Sequence, residues 1–342
     1  MNKNRQKGFT LIELLVAMAL ALVVMGAIFK TFKSQQDSFI IQDQVAAMQQ
    51  NLRGAMYILT RDLQLAGYYT NFDRNTRTLD WDDHDNDDNI TTGTEAIRPL
   101  IYAGDNVSAS GDDIKNGTDT ITIVKAGNEI RALNPGESAS SGGPGSATIS
   151  LSSWVDGGGV TRNALDLDGD GNVDLNGSTK KFALLVKSDL RTAEFFEVQM
   201  SGSNIVPAAG LANSYTTGDF ICRVDVILYK VDDQDPTRPS LVRKNLGDSS
   251  GATTIAENIE NLQFRYQLNN GSWTDDPAGN AALVRAVQVF MLARSAHTHR
   301  GFTDTQTYTM GSETWTPSGD ETAFRRKLLC STVKTRNIGL TE

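Results

Sequence analysis

Proline is missing from the first 98 residues of this 342-residue chain; its eight prolines begin at Pro99. Nothing there forces a break in helical hydrogen bonding, so a long N-terminal helix is permitted. Only two cysteines occur, Cys222 and Cys330, which excludes a disulfide framework and any thiolate metal centre. Histidine is almost as scarce, with three in the chain. Two of them form His297-Thr298-His299, which reads as an exposed hairpin and not a ligand pair. No Gly-rich phosphate loop, nucleophile elbow or pair of catalytic carboxylates stands out. Basic residues are in deficit, 32 Lys and Arg against 41 Asp and Glu, for a net charge of −9. No Lys/Arg cluster is interleaved with aromatics, which with the acidic balance argues against direct nucleic-acid binding. There is no solenoid-type repeat. An enzyme, a nucleic-acid reader and a repeat scaffold are all disfavoured.

The chain does possess one long apolar run. Phe9 to Phe29 would span roughly 32 Å as a helix at ~1.5 Å per residue, enough to cross a bilayer. Before it, MNKNRQKG holds Lys3, Arg5 and Lys7 and no acid, a segment retained on the cytoplasmic side. No small-x-small cleavage site follows the run, as a secretory signal would require. Glu13 lies near its start, and a lone carboxylate in a membrane costs about 2.5–3.5 kcal/mol on insertion scales. Gly8-Phe9-Thr10-Leu11-Ile12-Glu13 resembles the class III signal of type IV prepilins. That resemblance implies cleavage between Gly8 and Phe9 by a prepilin peptidase and N-methylation of the new terminal Phe9. It also implies a partner for Glu13, the Phe9 ammonium of a neighbouring subunit, since a buried charge is tolerable only when paired.

The helical pattern continues beyond the span. Ile41, Val45, Met48, Leu52, Met56, Leu59, Leu63 and Ala66 recur at steps of three and four, which marks one apolar stripe. Gly67 is a natural stop. The expected organisation is a leader at 1–8, a membrane or filament-core helix at 9–30, an amphipathic continuation at 31–66 and a strand-rich head at 67–342. The fold class expected is α+β, with a long N-terminal helix packed on a β-rich head. Loss of the leader would take the net charge to −12.

In the head, strands are expected at Arg98–Tyr102, Thr120–Lys125, Ala147–Trp154, Phe182–Lys187, Glu194–Met200, Phe220–Val231, Leu241–Asn245, Leu262–Leu268, Leu283–Ser295 and Phe324–Thr335. Val224, Val226 and Leu228 should face inward in a period-two run. Ile255–Asn261 reads as a short helix, and Asn134–Ser146 and Asp156–Gly159 as flexible loops. The blocks LTRDLQLAGYY (59–69), GTDTITIVKA (117–126), YKVDDQDPTRPSLVRKNLG (229–247), IENLQFRYQL (259–268), DTQTYTMG (304–311) and FRRKLLCSTVKTRNIGL (324–340) resemble, in order, those of the PilW minor pilin family. The family is in turn similar to GspJ, a type II secretion pseudopilin. The resemblance implies a pilin-like fold and a structural role as a low-abundance tip subunit that helps start filament assembly. The implied partners are other minor pilins, the major pilin, a PilY-type tip protein, the inner-membrane assembly platform and the prepilin peptidase. The implied location is the inner membrane, then the pilus. A secretion pseudopilin and a pilus-borne, calcium-dependent adhesin are the alternatives.

Asp166, Asp168, Asp170, Asn172 and Asp174 alternate around Gly171. Hard oxygens at that spacing, with a glycine for the turn, suit Ca2+. Gly177 stands where an EF-hand needs a bidentate Glu, so a partial calcium loop and a solvated acidic turn both fit. Asp80–Asp88 holds six acids in nine residues but lacks the glycine, and reads as a solvated run. Cys222 and Cys330 fall on separate expected strands, where a disulfide and two isolated thiols are both open.

Overall fold

The computed structural model describes residues 10–67, 101–107, 114–177, 182–190, 192–202, 204–248, 251–277, 280, 283–299 and 301–338. The Gly8–Phe9 junction and the Asp80–Asp88 run lie outside the described residues.

A single helix, α1, runs from Leu11 to Leu65, roughly 82 Å at ~1.5 Å per residue. Thr10 caps its start. The Thr10 hydroxyl accepts from the Glu13 amide at 3.3 Å, and Glu13 Oε2 accepts from the Thr10 amide at 2.9 Å. Its end is set by Ala66, which leaves helical geometry, and by Gly67 at φ 77°. The Gly67 amide then donates to the Val124 carbonyl at 2.9 Å, so the chain turns directly onto the head.

The apolar stripe packs as its spacing requires, but only from Val45 onward. Met48, Leu52, Met56, Leu59 and Leu63 are buried, while every large apolar side chain from Leu11 to Phe32 is exposed. Burial of each large side chain contributes about 1.5–3 kcal/mol, so the lower helix is anchored, and the upper helix has no packing partner among the described residues.

The head begins with β1 (Ile101–Val107), β2 (Thr118–Ala132), β3 (Ser138–Ser140), β4 (Thr148–Ser150), β5 (Trp154–Val155) and β6 (Thr161–Arg162). It continues with β7 (Phe182–Val186), β8 (Ala193–Ser201), β9 (Asn204–Pro207), β10 (Phe220–Asp232), β11 (Ser240–Asn245) and β12 (Thr253–Glu257). The C-terminal part holds β13 (Ile259–Leu268), β14 (Trp273–Thr274), β15 (Val284–Arg294), β16 (Tyr308–Met310), β17 (Glu313–Trp315) and β18 (Arg326–Lys334). The large sheet has the order β1-β2-β10-β7-β8-β9-β4-β3, with β11 and β12 added along the second edge of β10. The smaller sheet is β14-β13-β15-β18. All named pairings are antiparallel.

One core joins the lower helix to both sheets. Leu52, Leu59 and Leu63 share it with Ile121, Ile123, Ile227 and Tyr229 of the large sheet and with Phe264, Val287, Val289 and Met291 of the small one. A second cluster, with Ile149, Leu167, Leu175, Leu185, Phe196 and Tyr215, lies under the segment that carries the acidic loop. Val224, Val226 and Leu228 face inward as expected, in a third cluster. From Ile227 to Val231 every residue of β10 is buried, so the alternation ends where the strand meets the helix.

Several local expectations are corrected. Ile255–Asn261 is not helical: β12 ends at Glu257, Asn258 turns at φ 61° and β13 begins. Asn tolerates that left-handed geometry, and strand partners β11 and β15 outweigh local propensity. The expected strand Ala147–Trp154 is split into β4 and β5, because Glu137 takes the Ser152 amide (2.7 Å) and hydroxyl (3.0 Å). Asn134–Ser146 is not a free loop. It contains β3, and Gly142 exchanges two backbone bonds with Leu211, each 2.9 Å. A Cβ at Gly210 would strike Gly142 and Gly143 there. His297-Thr298-His299 is not a hairpin: His297 is exposed and His299 is buried, its amide donating to the Ala323 carbonyl at 2.9 Å.

Candidate functional site

Two regions of the described structure have the chemistry of a site. The first is the upper helix. Leu11 through Phe32 presents Leu, Ile, Val, Met and Phe on all sides, with each large member more than half exposed. The segment is long and apolar enough to cross a membrane, and it joins the head-anchoring half without a break. Glu13 sits at its first turn. Its Oε2 also accepts from the Thr10 hydroxyl at 2.9 Å, so the carboxylate closes the helix N terminus of its own chain. A negative charge there also complements the helix dipole. Sequence reasoning found Glu13 but missed this local role, although Thr10-x-x-Glu13 is a capping-box pattern.

The second region is the loop at 166–174. Carboxylate oxygens of Asp166, Asp168 and Asp174 lie within 4.8 Å of one another. Asp166 and Asp174 are buried and Asp168 is exposed. Backbone amides shape the group: Asp166 accepts from Gly169 (2.7 Å) and Gly171 (3.0 Å), and Asp174 accepts from Leu167 (2.6 Å). Gly169 and Gly171 take φ 84° and 96°, which turns the amides inward. Asp170 is not in the group; its carboxylate accepts from the Asn172 amide and side chain, both at 2.7 Å. Thus three of the five expected ligands are brought together.

Two residues that sequence reasoning missed brace this loop. Trp154 Nε1 donates to the Asp166 carbonyl at 2.8 Å. The Arg131 guanidinium lies 5.7 Å from the Trp154 ring centroid and makes a buried bidentate pair with Glu137, at 3.0 and 3.1 Å. Burial alone would raise the Glu137 carboxyl, but Arg131 and the Ser152 and Asn134 amides hold it below the usual range. No sequence period connects these residues, so only the fold discloses them.

The two cysteines do not pair. Both are free thiols, Cys222 buried and Cys330 exposed. Cys222 is in β10 of the large sheet within its apolar cluster, and Cys330 is in β18 of the small sheet opposite Phe290. Burial pushes the Cys222 thiol up to about 12, which makes it a poor nucleophile.

A long capped helix docked by its lower half on antiparallel sheets defines the class: α+β, with a long N-terminal helix packed on a β-rich head. Residues 228–337 match the family model for Type IV Pilus-assembly protein W, and residues 3–29 match the prokaryotic N-terminal methylation motif. The chain thus carries the PilW pattern through the C-terminal part of its head and the methylation motif at its start. Of the six sequence blocks, those at 59–69 and 117–126 fall outside the matched segment. Among solved structures it is similar to a type IV-like pilin from Thermus thermophilus, at 16% identity over 34% of this chain and 70% of that one, with a TM-score of 0.24. No curated protein matches it.

Proposed function

We propose that this chain is a minor pilin that helps start type IV pilus assembly and sits at the filament tip. It is made as an inner-membrane precursor, cut between Gly8 and Phe9 and methylated on Phe9. The observation that carries this is the apolar half of α1, exposed among the described residues, continuous with the half anchored in the head and headed by a methylation motif. Residues 9–30 form the membrane or filament-core segment, 31–66 the connecting helix and 67–342 the exported head. Neighbouring pilins, a PilY-type tip protein and the assembly platform are its partners. Glu13 has two successive roles: it closes its own helix, then pairs with the Phe9 ammonium of an adjoining subunit.

The test is the N terminus of the filament-associated protein. Methylated Phe9 is expected at its start, with full-length Gly8→Val held in the inner membrane. Mature protein that begins at Met1 would sink the proposal. A secretion pseudopilin predicts that deletion abolishes type II secretion and leaves pili intact; the minor-pilin proposal predicts the reverse.

A second reading is supported by the convergence of Asp166, Asp168 and Asp174. The loop is a Ca2+ site that orders the outer part of the head. Ca2+ would neutralise three crowded carboxylates, and Trp154 would report the change.

A further inference from the structure

The small sheet ends on β18, which has no strand partner on its outer side among the described residues. Its pairing with β15 runs without a shift from Ala286↔Lys334 to Arg294↔Arg326. Two bonds fix the phase of the ladder. The Thr335 amide donates to the Arg285 carbonyl at 3.0 Å, and the Ser295 amide donates to the Arg325 carbonyl at 2.8 Å. In an antiparallel pair such bonds fall on alternate residues. Lys327, Leu329, Ser331 and Val333 therefore bond to β15, and the amides and carbonyls of Leu328, Cys330, Thr332 and Lys334 point outward. Those outward backbone groups take no hydrogen bond among the described residues.

Outer strands are normally blunted, because a row of free backbone groups is a template for another strand. The other outer strands of the two main sheets follow that rule. β14 has two residues and β3 has three. β1 is interrupted between Gly104 and Val107, where Asn106 takes φ 44°, and the β11–β12 pairing shifts between Leu241 and Val242. β18 instead has nine residues, no proline and no bulge. It is also held from both faces. Leu329 and Val333 pack into the core shared with α1, and Leu328 packs with Phe290 and Tyr308. Along it Lys327, Cys330, Thr332 and Lys334 are exposed.

Charge selects the occupant. Residues 322–341 hold Arg325, Arg326, Lys327, Lys334 and Arg336 and no acid, in a chain of net charge −9. A second copy paired through the same edge would set basic ends against basic ends in either strand direction, and like charges opposite one another are destabilising. An acidic strand escapes that penalty. We propose that β18 is an acceptor edge for an extended segment of another protein, one whose acidic residues reach both Lys327 and Lys334. Backbone bonds to Leu328, Cys330 and Thr332 supply affinity, and the flanking ion pairs set the register. The stretch from Lys327 to Lys334 is roughly 24 Å at ~3.4 Å per residue, which fixes the spacing of the acids.

The test uses the full chain in detergent and a labelled peptide, EETVTVTEE, with KKTVTVTKK as the charge control. Saturable binding of the acidic peptide, followed by fluorescence anisotropy, is expected, with slower alkylation of Cys330 while it is bound. Thr332→Pro removes an outward amide and spares the bonds to β15, and should weaken binding about tenfold or more. Lys327→Glu/Lys334→Glu changes two exposed positions. It should lose the acidic peptide and gain the basic one, which keeps the test decisive if the proline variant folds poorly. The proposal is overturned if the acidic peptide does not bind, if it binds without protecting Cys330, if the charge-reversed variant binds it undiminished, or if wild type binds both peptides equally.

Discussion

The Asp62 carboxylate, on the packed face of α1, accepts a hydrogen bond at 2.6 Å from the Tyr229 hydroxyl, 167 residues away on β10. The same oxygen accepts from Arg243 Nε at 2.9 Å, and Lys125 Nζ lies 3.5 Å from the other. The helix is thus fastened to the large sheet by a polar clasp inside an otherwise apolar stripe. Burial would raise the Asp62 carboxyl, but Tyr229, Arg243 and Lys125 outweigh it and hold it below the usual range.

Asp62→Asn should destabilise the head by about 1–3 kcal/mol at neutral pH, because buried donors lose their charged acceptor. The sign of the pH effect follows from the depressed carboxyl. Its stabilisation is present above the ordinary carboxylate range and is lost as pH falls through the folded-state value. Wild type and variant should therefore converge in acid. Urea unfolding at pH 7 and near pH 3 checks this; an equal gap at both pH values would remove the clasp from the account.

Glu13 separates two roles by chemistry. Glu13→Gln keeps an acceptor for the Thr10 amide and removes the charge, while Glu13→Ala removes both. Both variants should insert and be cleaved, since the membrane segment becomes cheaper to bury. Neither should enter the assembly complex, because the intersubunit ion pair is lost. Co-purification with the other pilins is the readout. Full incorporation of Glu13→Gln would reduce Glu13 to a helix cap.

Arg326 should be among the least replaceable residues of the head. Its side chain is wholly buried, with Nε 2.5 Å from Glu260 and a terminal nitrogen 3.2 Å from Asp304. Arg326→Met leaves two buried carboxylates with fewer partners, at a cost of about 3–5 kcal/mol. A fall in melting temperature and faster proteolysis between residues 296 and 325 are expected. Unchanged stability would show that Arg294, 3.6 Å from Glu260, suffices alone.

For the acidic loop, Ca2+ should raise the melting temperature by mass action and alter Trp154 emission. Asp168→Ala should abolish both effects while the fold is kept, since Asp168 is exposed. Trp154→Phe should abolish the optical change and preserve the thermal one. A thermal rise of equal size in Asp168→Ala would leave the loop as a solvated acidic turn.

The sequence by itself determined the helix and its division of labour. Its apolar run and its stripe at helical spacing are local patterns, and a period of 3.6 residues is legible without knowing what lies opposite. The long strands were legible for the same reason. Tertiary structure alone decided that Asn258 turns between two strands, that Glu137 takes Ser152 out of β-pairing and that the two thiols lie in different sheets. It alone brought Asp62 to Tyr229 and Trp154 to the acidic loop. Each of these depends on residues far apart in the chain. A buried charge or hydroxyl has no periodicity of its own, and its meaning is set by the partners that folding places around it.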